Sequence, residues 1–294
     1  MGPALGGHPV IGQKHEHTPG KFVFPCPSGR SYGWRPDLPD HRDHLFSAPP
    51  PRLGLPPMVN LHPLVTTVYD QGQLGSCTAN AIGQAIMLGL KIEKAKAIVP
   101  SRLFIYFNER VIEGTVSADA GASLRDGLKA VAQQGACPES EWPYNIARFA
   151  VKPSAKCYTD GRAHEVQRYL AVMQSAQQIQ SCLAAGFPLV FGFSVYDSFE
   201  SDQVAKTGNV PIPQSSEAML GGHAVAAIGY NLGPDIVYLD GIKWPSRTVL
   251  CQNSWGAHWG MKQGCFTIPM EYLTDPNLAS DFWTIRSVET VAAL

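Results

Sequence analysis

Asp70-Gln71-Gly72-Gln73-Leu74-Gly75-Ser76-Cys77-Thr78-Ala79-Asn80-Ala81 is the stretch whose reading decides the fold. It reads as a Gly-rich turn that runs into a helix with a cysteine in the first turn. Past Cys77, the residues Ile82, Ala85, Ile86, Gly89 and Leu90 fall three and four apart, which predicts one stripe facing a core. Ser76 is the expected N-cap. A thiol at a helix N-terminus feels the positive end of the dipole, which favours thiolate. An ordinary thiol, with a pKa near 8.5, is only a few per cent ionised at pH 7, so such a position suits a nucleophile.

The chain has 294 residues, enough for one large or two small domains. Its net charge is −1 and it has no long run of either sign, so neither nucleic acid nor an anionic membrane surface is expected as a partner. Charged residues are 16% of the chain, below the roughly 25% usual for soluble proteins. The 28 glycines and 24 prolines predict many turns and long loops. There is no apolar run of about 18 residues, so no membrane-spanning helix is predicted. Residues 1–20 lack a basic start followed by an apolar run, so no signal peptide is visible. Seven cysteines leave at least one unpaired, and Cys77 is the candidate. Cys137 with Cys157, and Cys251 with Cys265, are candidate pairs; the alternative is that all are small buried hydrophobes.

Residues 1–57 differ from the rest. They hold 12 of the 24 prolines and five of the nine histidines, His8, His15, His17, His41 and His44. Pro49-Pro50-Pro51 reads as a stiff spacer. Phe22, Phe24, Tyr32 and Trp34 could dock this segment on a folded surface. His15-Glu16-His17 and His41-Arg42-Asp43-His44 carry ligand residue types without a ligand spacing, and no metal or cofactor is expected. A compact domain begins at Leu55. Ser101 is expected to cap a helix with Leu103, Phe104, Phe107 and Val111 inward. Ser123 should cap another, with Leu124, Leu128 and Val131 inward and Gly135 ending it. Residues 136–160 read as loop, and Ser175 to Gly186 as a short helix. Six short β-branched or aromatic runs then predict strands: 188–196, 223–230, 236–239, 248–251, 265–268 and 283–288. The class is α+β, a helical half followed by a mostly antiparallel half, with a cleft between two lobes.

Three features answer Cys77. Gly221-Gly222-His223-Ala224-Val225 opens a strand with a histidine, and its two glycines leave room for another chain. Asn253-Ser254-Trp255-Gly256 follows a strand, so Asn253 can be aimed from a strand end. Gln71 lies in the Gly-rich turn. A cysteine nucleophile needs a base, and the base needs an orienting partner. Histidine suits the first task, and an asparagine carbonyl suits the second. A glutamine amide and the Cys77 N–H could hold the oxygen of a tetrahedral intermediate.

These motifs together resemble the papain-like cysteine peptidases. The order Cys77, His223, Asn253, with separations of 146 and 30 residues, fits that family. Gln71 falls on its oxyanion glutamine, and Trp255 on the tryptophan that shields the His–Asn bond. The resemblance covers roughly residues 55–290 and is closest to bacterial members with a short leading segment. It implies a two-lobed fold, with a helical lobe over roughly 58–160 and a β lobe over 161–294. It further implies an endopeptidase that cleaves peptide bonds through a Cys77 thiolate and an acyl-enzyme. Cys77, His223, Asn253 and Gln71 are then the expected catalytic residues. Gly121, Gly222 and Trp255 are the expected substrate contacts. Residues 1–54 are expected to be an inhibitory pro-segment lying in the cleft, and Leu55-Pro56-Pro57 resembles the mature start.

Departures from the family pattern are visible too. Leu74 stands where the family usually has a cysteine, so a common disulfide is absent, and Thr78 replaces an aromatic residue. The expected form is a monomer, secreted or periplasmic. The histidine-rich leader suggests activation at mildly acidic pH. Two rival readings are a transglutaminase-like acyl transferase, against which Asn253 argues because such sites tend to use an acid as third member, and an inactive peptide-binding relative. The main side-chain pocket should draw on the Gly121 loop, the residues before His223 and the segment 278–282.

Overall fold

The computed structural model describes residues 29–47, 54–238 and 241–288. The leading histidines His8, His15 and His17, with Phe22, Phe24 and the 49–51 proline run, lie outside these residues. Seven α-helices and nine strands follow in chain order from Met58 among the described residues. They are β1 (Met58–Asn60), α1 (Cys77–Ile92), α2 (Arg102–Glu113), α3 (Leu124–Gln134), α4 (Ala155–Gly161), β2 (Val166–Ala171), α5 (Ala176–Ala184), β3 (Leu189–Tyr196), α6 (Asp202–Thr207), β4 (Met219–Asn231), β5 (Ile236–Val237), β6 (Lys243–Trp244), β7 (Thr248–Gln252), β8 (Cys265–Pro269), α7 (Met270–Thr274) and β9 (Ala279–Val288). The main sheet runs β2-β9-β3-β4-β7-β8, and β1 pairs with β4. Every pairing in it is antiparallel. None of the described helices is long and apolar enough to cross a membrane.

Two cores flank this sheet. One joins α1, α2 and α3 to one sheet face through Ile82, Ile86, Phe104, Leu128, Ala226 and Ile228. The other lies on the opposite face, where Phe191, Phe193, Val225, Val249 and Phe266 meet α5 and α7. The period of two along β3 decides which side chain joins which core: Val190 goes to the first, and Leu189, Phe191, Phe193 and Val195 go to the second. This is the expected α+β architecture with two lobes.

Local chemistry explains most helix ends. Ser101, Ser123 and Ser175 each accept a hydrogen bond from a backbone N–H of the helix they cap. Ser76 does not cap with its side chain; its Oγ meets Tyr144 Oη at 2.6 Å and Asn80 Nδ2 at 3.0 Å instead. Helix α1 is buried almost all round rather than along one stripe, because it is packed between the other helices and strands β4 and β9. The apolar stripe of α2 ends early. Val111 is 52% exposed, and the buried residue of that turn is Arg110, whose guanidinium donates to the carbonyls of Val116, Ala118 and Phe149.

Residues 136–160 are not wholly loop: Ser154 caps the start of α4. The cysteine pairings are also corrected, since all six described cysteines are free. Cys251 sits opposite Phe266 and Gln252 sits opposite Cys265. The two cysteines are thus one register step apart and face opposite cores. Cys137 and Cys157 are neighbouring buried thiols, and burial pushes the Cys137 thiol up, away from ionisation.

Candidate active site

Cys77 is the first residue of α1 and has no exposed surface. The backbone N–H groups of Gly33, Thr78 and Ala224 point at its sulfur. Burial nevertheless dominates and raises its pKa to about 12, with the nearby Glu109 adding to the shift. The helix N-terminus alone leads to the opposite expectation, and desolvation under residues 29–47 outweighs it here. Thr78 Oγ1 donates to Glu109 Oε1 at 2.7 Å, and burial pushes that carboxyl well up, toward its neutral form. Thr78 therefore has a buried acid as its partner where an aromatic side chain is usual.

His223 sits in β4, also fully buried. Its Nε2 lies 2.8 Å from Asn253 Oδ1. That oxygen can only accept, so Nε2 carries the proton and Nδ1 is left without a hydrogen-bond partner among the described residues. The residue after His223, Ala224, aims its N–H at Cys77, which fixes the side of the histidine on which the sulfur lies. Burial lowers the His223 pKa to about 4, against the Asn253 bond and with help from the Arg30 charge. Rings enclose the imidazole: Trp255 at 5.2 Å, Phe193 at 5.7 Å and Phe199 at 6.4 Å between centroids. Asn253 Oδ1 also accepts from Ser254 N–H at 2.8 Å.

Gln71 is buried beside them. Its Oε1 accepts from Ser254 Oγ at 2.6 Å, which fixes the orientation of the amide. Its Nε2 donates to Leu74 O and Ser31 O, both at 3.1 Å. Ser254 is a partner that the sequence reading passed over; its place between Asn253 and Trp255 was the available signal. The turn itself is braced from two sides. Asp119 accepts from Gly75 N–H at 3.0 Å and from Tyr106 Oη. Arg102 lies between the rings of Tyr69 and Tyr144 at 4.3 and 3.9 Å, pairs with Glu139, and donates to Asp70 O and Asn80 Oδ1. Asp119 thus ties the turn to the Gly121 loop without a disulfide.

Residues 29–47 run through the cleft. Gly33 O accepts from Ala122 N–H at 2.8 Å, Trp34 N–H donates to Gly222 O at 3.0 Å, and Arg35 N–H donates to Ala122 O at 3.1 Å. The pairing residue is therefore Ala122, one place beyond Gly121. Gly121 matters through its φ of +67° and its missing side chain: a Cβ there would lie 2.0 Å from Gly33 O. Gly222, an expected substrate contact, meets the leader here through its carbonyl. Trp255 carries the Arg30 guanidinium at 4.7 Å and covers His223. Tyr32 is buried in the β-lobe core and Trp34 in the helical-lobe core, so the leader spans both lobes. Arg125 holds it further on, pairing with Asp43. Among the described residues no cluster of three or more potential ligands could hold a metal; His41 and His44 are exposed and Asp43 is engaged by Arg125.

The family model for "Papain family cysteine protease" matches residues 59–281. An uncharacterized peptidase C1-like protein of Acanthamoeba polyphaga mimivirus is 36% identical over 285 residues, 88% of each chain. The crystal structure of xylellain, a cysteine protease from Xylella fastidiosa, is similar with a TM-score of 0.76 and 40% identity, covering 89% of this chain and 96% of that one. A procathepsin B from Trypanosoma congolense shares the fold at a TM-score of 0.66 and 17% identity, covering 88% of this chain and 87% of that one.

Proposed function

We propose, for a chain that belongs to the papain family of cysteine proteases, that Cys77, His223, Asn253 and Gln71 perform peptide hydrolysis once residues 1–54 have been removed as an inhibitory pro-segment. The observation that carries this reading is the occupancy of the cleft. The leader sets a carbonyl, Ser31 O, on Gln71 Nε2 and a backbone N–H, that of Gly33, on Cys77. The groups that would bind a substrate are taken by the chain itself.

The direction of the leader is that of an inhibitor rather than of a substrate. Residues 30–32 lie against Trp255, Gln71 and His223, and residues 34–37 lie toward Ala122 and Asp281. A leaving amine takes its proton from His223, so residues 30–32 cover the leaving-group side. The acyl side of a substrate is its N-terminal part. The leader's N-terminal part is on the other side, so it runs in reverse.

With the leader gone, water and substrate reach Cys77 and His223, and the desolvation that holds both neutral is relieved. His223 Nε2 is committed to Asn253, so Nδ1 is the nitrogen that takes the thiol proton. The thiolate attacks the scissile carbonyl, and the oxyanion is held by Gln71 Nε2 and the Cys77 N–H. Loss of one such donor typically costs on the order of 10²–10³ in rate. His223 then protonates the leaving amine, and afterwards takes a proton from the water that frees the acyl group. The monomer acts on peptide or protein substrates, without nucleic acid, membrane or cofactor. A peptide electrophile should label Cys77 in the leader-free protein, and Cys77→Ala should abolish hydrolysis. Parent-rate cleavage by that variant would refute the role. Incubation with an amine acceptor separates hydrolysis from acyl transfer.

A further inference from the structure

Resting on that reading, we propose that Gln84 is a positioning residue for the reaction. It holds one buried water against the amide nitrogen of Asn253, and that water keeps the Asn253 carbonyl turned to His223.

The place follows from α1. Gln84 lies about two helical turns beyond Cys77, on the same face of the helix. That face packs on β4, where Gln84 and Asn253 line one cavity of about 10 Å³. A single water needs roughly that much space, and a second has no room. No residue of the leader lines this cavity, so its walls do not depend on whether the leader is present.

The chemistry follows from the atoms left over. Gln84 and Asn253 are 3% and 2% exposed. Among the described residues, Gln84 Nε2, Gln84 Oε1 and Asn253 Nδ2 have no hydrogen-bond partner. Buried polar atoms are seldom left so. The other polar side chains at the cavity are engaged elsewhere. Asn80 Nδ2 donates to Ser76 O at 2.8 Å, and Asn80 Oδ1 accepts from Arg102 at 3.2 Å. Gln252 Nε2 donates to Gln263 O at 2.8 Å, Ser254 Oγ to Gln71 Oε1 at 2.6 Å, and Tyr69 Oη to Pro100 O at 2.8 Å. The walls carry no acidic or basic side chain, so the site suits a neutral molecule and not an ion. Gln84 and Asn253 do not bond each other, and a water between them answers both. It accepts from Asn253 Nδ2–H and donates to Gln84 Oε1.

The effect on the reaction follows from the two ends of the Asn253 amide. Oδ1 faces His223 Nε2 at 2.8 Å. An amide turned end for end would set Nδ2 there instead, a donor against a donor. The imidazole proton would then move to Nδ1, the nitrogen that must receive the thiol proton. The Ser254 N–H holds the Oδ1 end in place. A water lone pair at Nδ2 holds the other end, and Gln84 Oε1 keeps that lone pair aimed by taking one of the water's protons.

Two measurements test this. The first is a crystal structure of the intact chain at a resolution that shows ordered water. It should show one water within hydrogen-bond distance of both Asn253 Nδ2 and Gln84. An empty cavity, or a Gln84 amide bonded directly to Asn253, overturns the proposal. The second uses leader-free enzyme, made from the full chain folded and then nicked at a protease site introduced between residues 48 and 53. Gln84→Met keeps the length of the side chain and removes both polar atoms. It should lower kcat about 10-fold with KM changed less than about twofold. In the Asn253→Ala background the same change should add nothing to the loss. A parent-like kcat for Gln84→Met, or an equal loss with and without Asn253, overturns the positioning role. A parent that cleaves no peptide overturns the peptidase reading, while the crystal still decides the water.

Discussion

Gly33→Ala should open the cleft of the intact chain. A Cβ on Gly33 would sit 1.8 Å from Gly75 O, 2.4 Å from Gly75 C and 2.8 Å from Gly75 Cα. These are backbone atoms of the nucleophile turn, and that turn is braced by Asp119 and Arg102, so it cannot give way cheaply. The leader must move instead. Three main-chain hydrogen bonds hold it at this point, each contributing roughly 1 kcal/mol net. Burial of the Trp34 side chain contributes about 2–3 kcal/mol more. Loss of most of that hold raises the open population by about 10³, since each 1.4 kcal/mol is a factor of ten. The assay is the rate of Cys77 modification by a small alkylating reagent, compared with the parent and with Leu38→Ala. Leu38 is a leader residue with 82% of its surface exposed, so its truncation should leave the rate unchanged. A Gly33→Ala rate within threefold of the parent, in protein of native stability, would refute the view that the leader seals the thiol by backbone contact.

Four further outcomes are expected. Asn253→Ala should lower kcat of the leader-free enzyme by about 10² while changing KM little, because the His223 tautomer is no longer fixed. Ser254→Ala should lower kcat about 10-fold through a loosened Gln71 amide, and steady-state kinetics on one peptide checks both variants. Leader retention should depend on pH in two directions. His223 has its pKa lowered to about 4 by burial, so closure is favoured above its ordinary 6.5 and weakens as pH falls from there toward 4. Asp281, raised to about 7 by burial and by Asp37, resists ionisation in the closed form, so its share of the hold is present at low pH and lost as pH rises through 7. From about pH 4 to 6.5 the two trends oppose and largely cancel, so size-exclusion of nicked protein should show steady retention there and a fall as pH rises from about 6.5 past 7; retention that rises between pH 6 and 8 would contradict this. Asp119→Ala should destabilise the intact chain by about 1–3 kcal/mol in urea titration, whereas millimolar dithiothreitol should leave the parent's midpoint unmoved.

The parts of this site legible in the sequence were those carried by one residue type at one chain position. Cys77 after a glycine-rich turn, His223 after two glycines and Asn253 at a strand end each announce a side chain that local backbone geometry must aim. The parts not legible depend on which loop lies against which. Ala122 rather than Gly121 pairs with the leader because the positive φ at Gly121 turns the next residue toward the cleft. Asp119 replaces a covalent tie with hydrogen bonds, and nothing in its immediate neighbours announces that Gly75 lies above it. Cys251 and Cys265 looked pairable until the register placed them on opposite faces of β7 and β8. Strand β2 was missed because its outer positions are polar and its pairing with β9 is irregular. Segment 278–282 was expected at the main side-chain pocket, but only the fold shows that Asp281 is the residue of it that meets the Trp34 indole.

Hydrolysis by this chain requires a transient bond between the Cys77 sulfur and the substrate acyl group. Leader-free enzyme, mixed with a slowly turned-over peptide ester and quenched in acid, should gain the mass of the acyl group on the peptide that contains Cys77, and Cys77→Ala should gain none. Turnover with no adduct at Cys77, or an adduct elsewhere that persists in the Cys77→Ala protein, would contradict it.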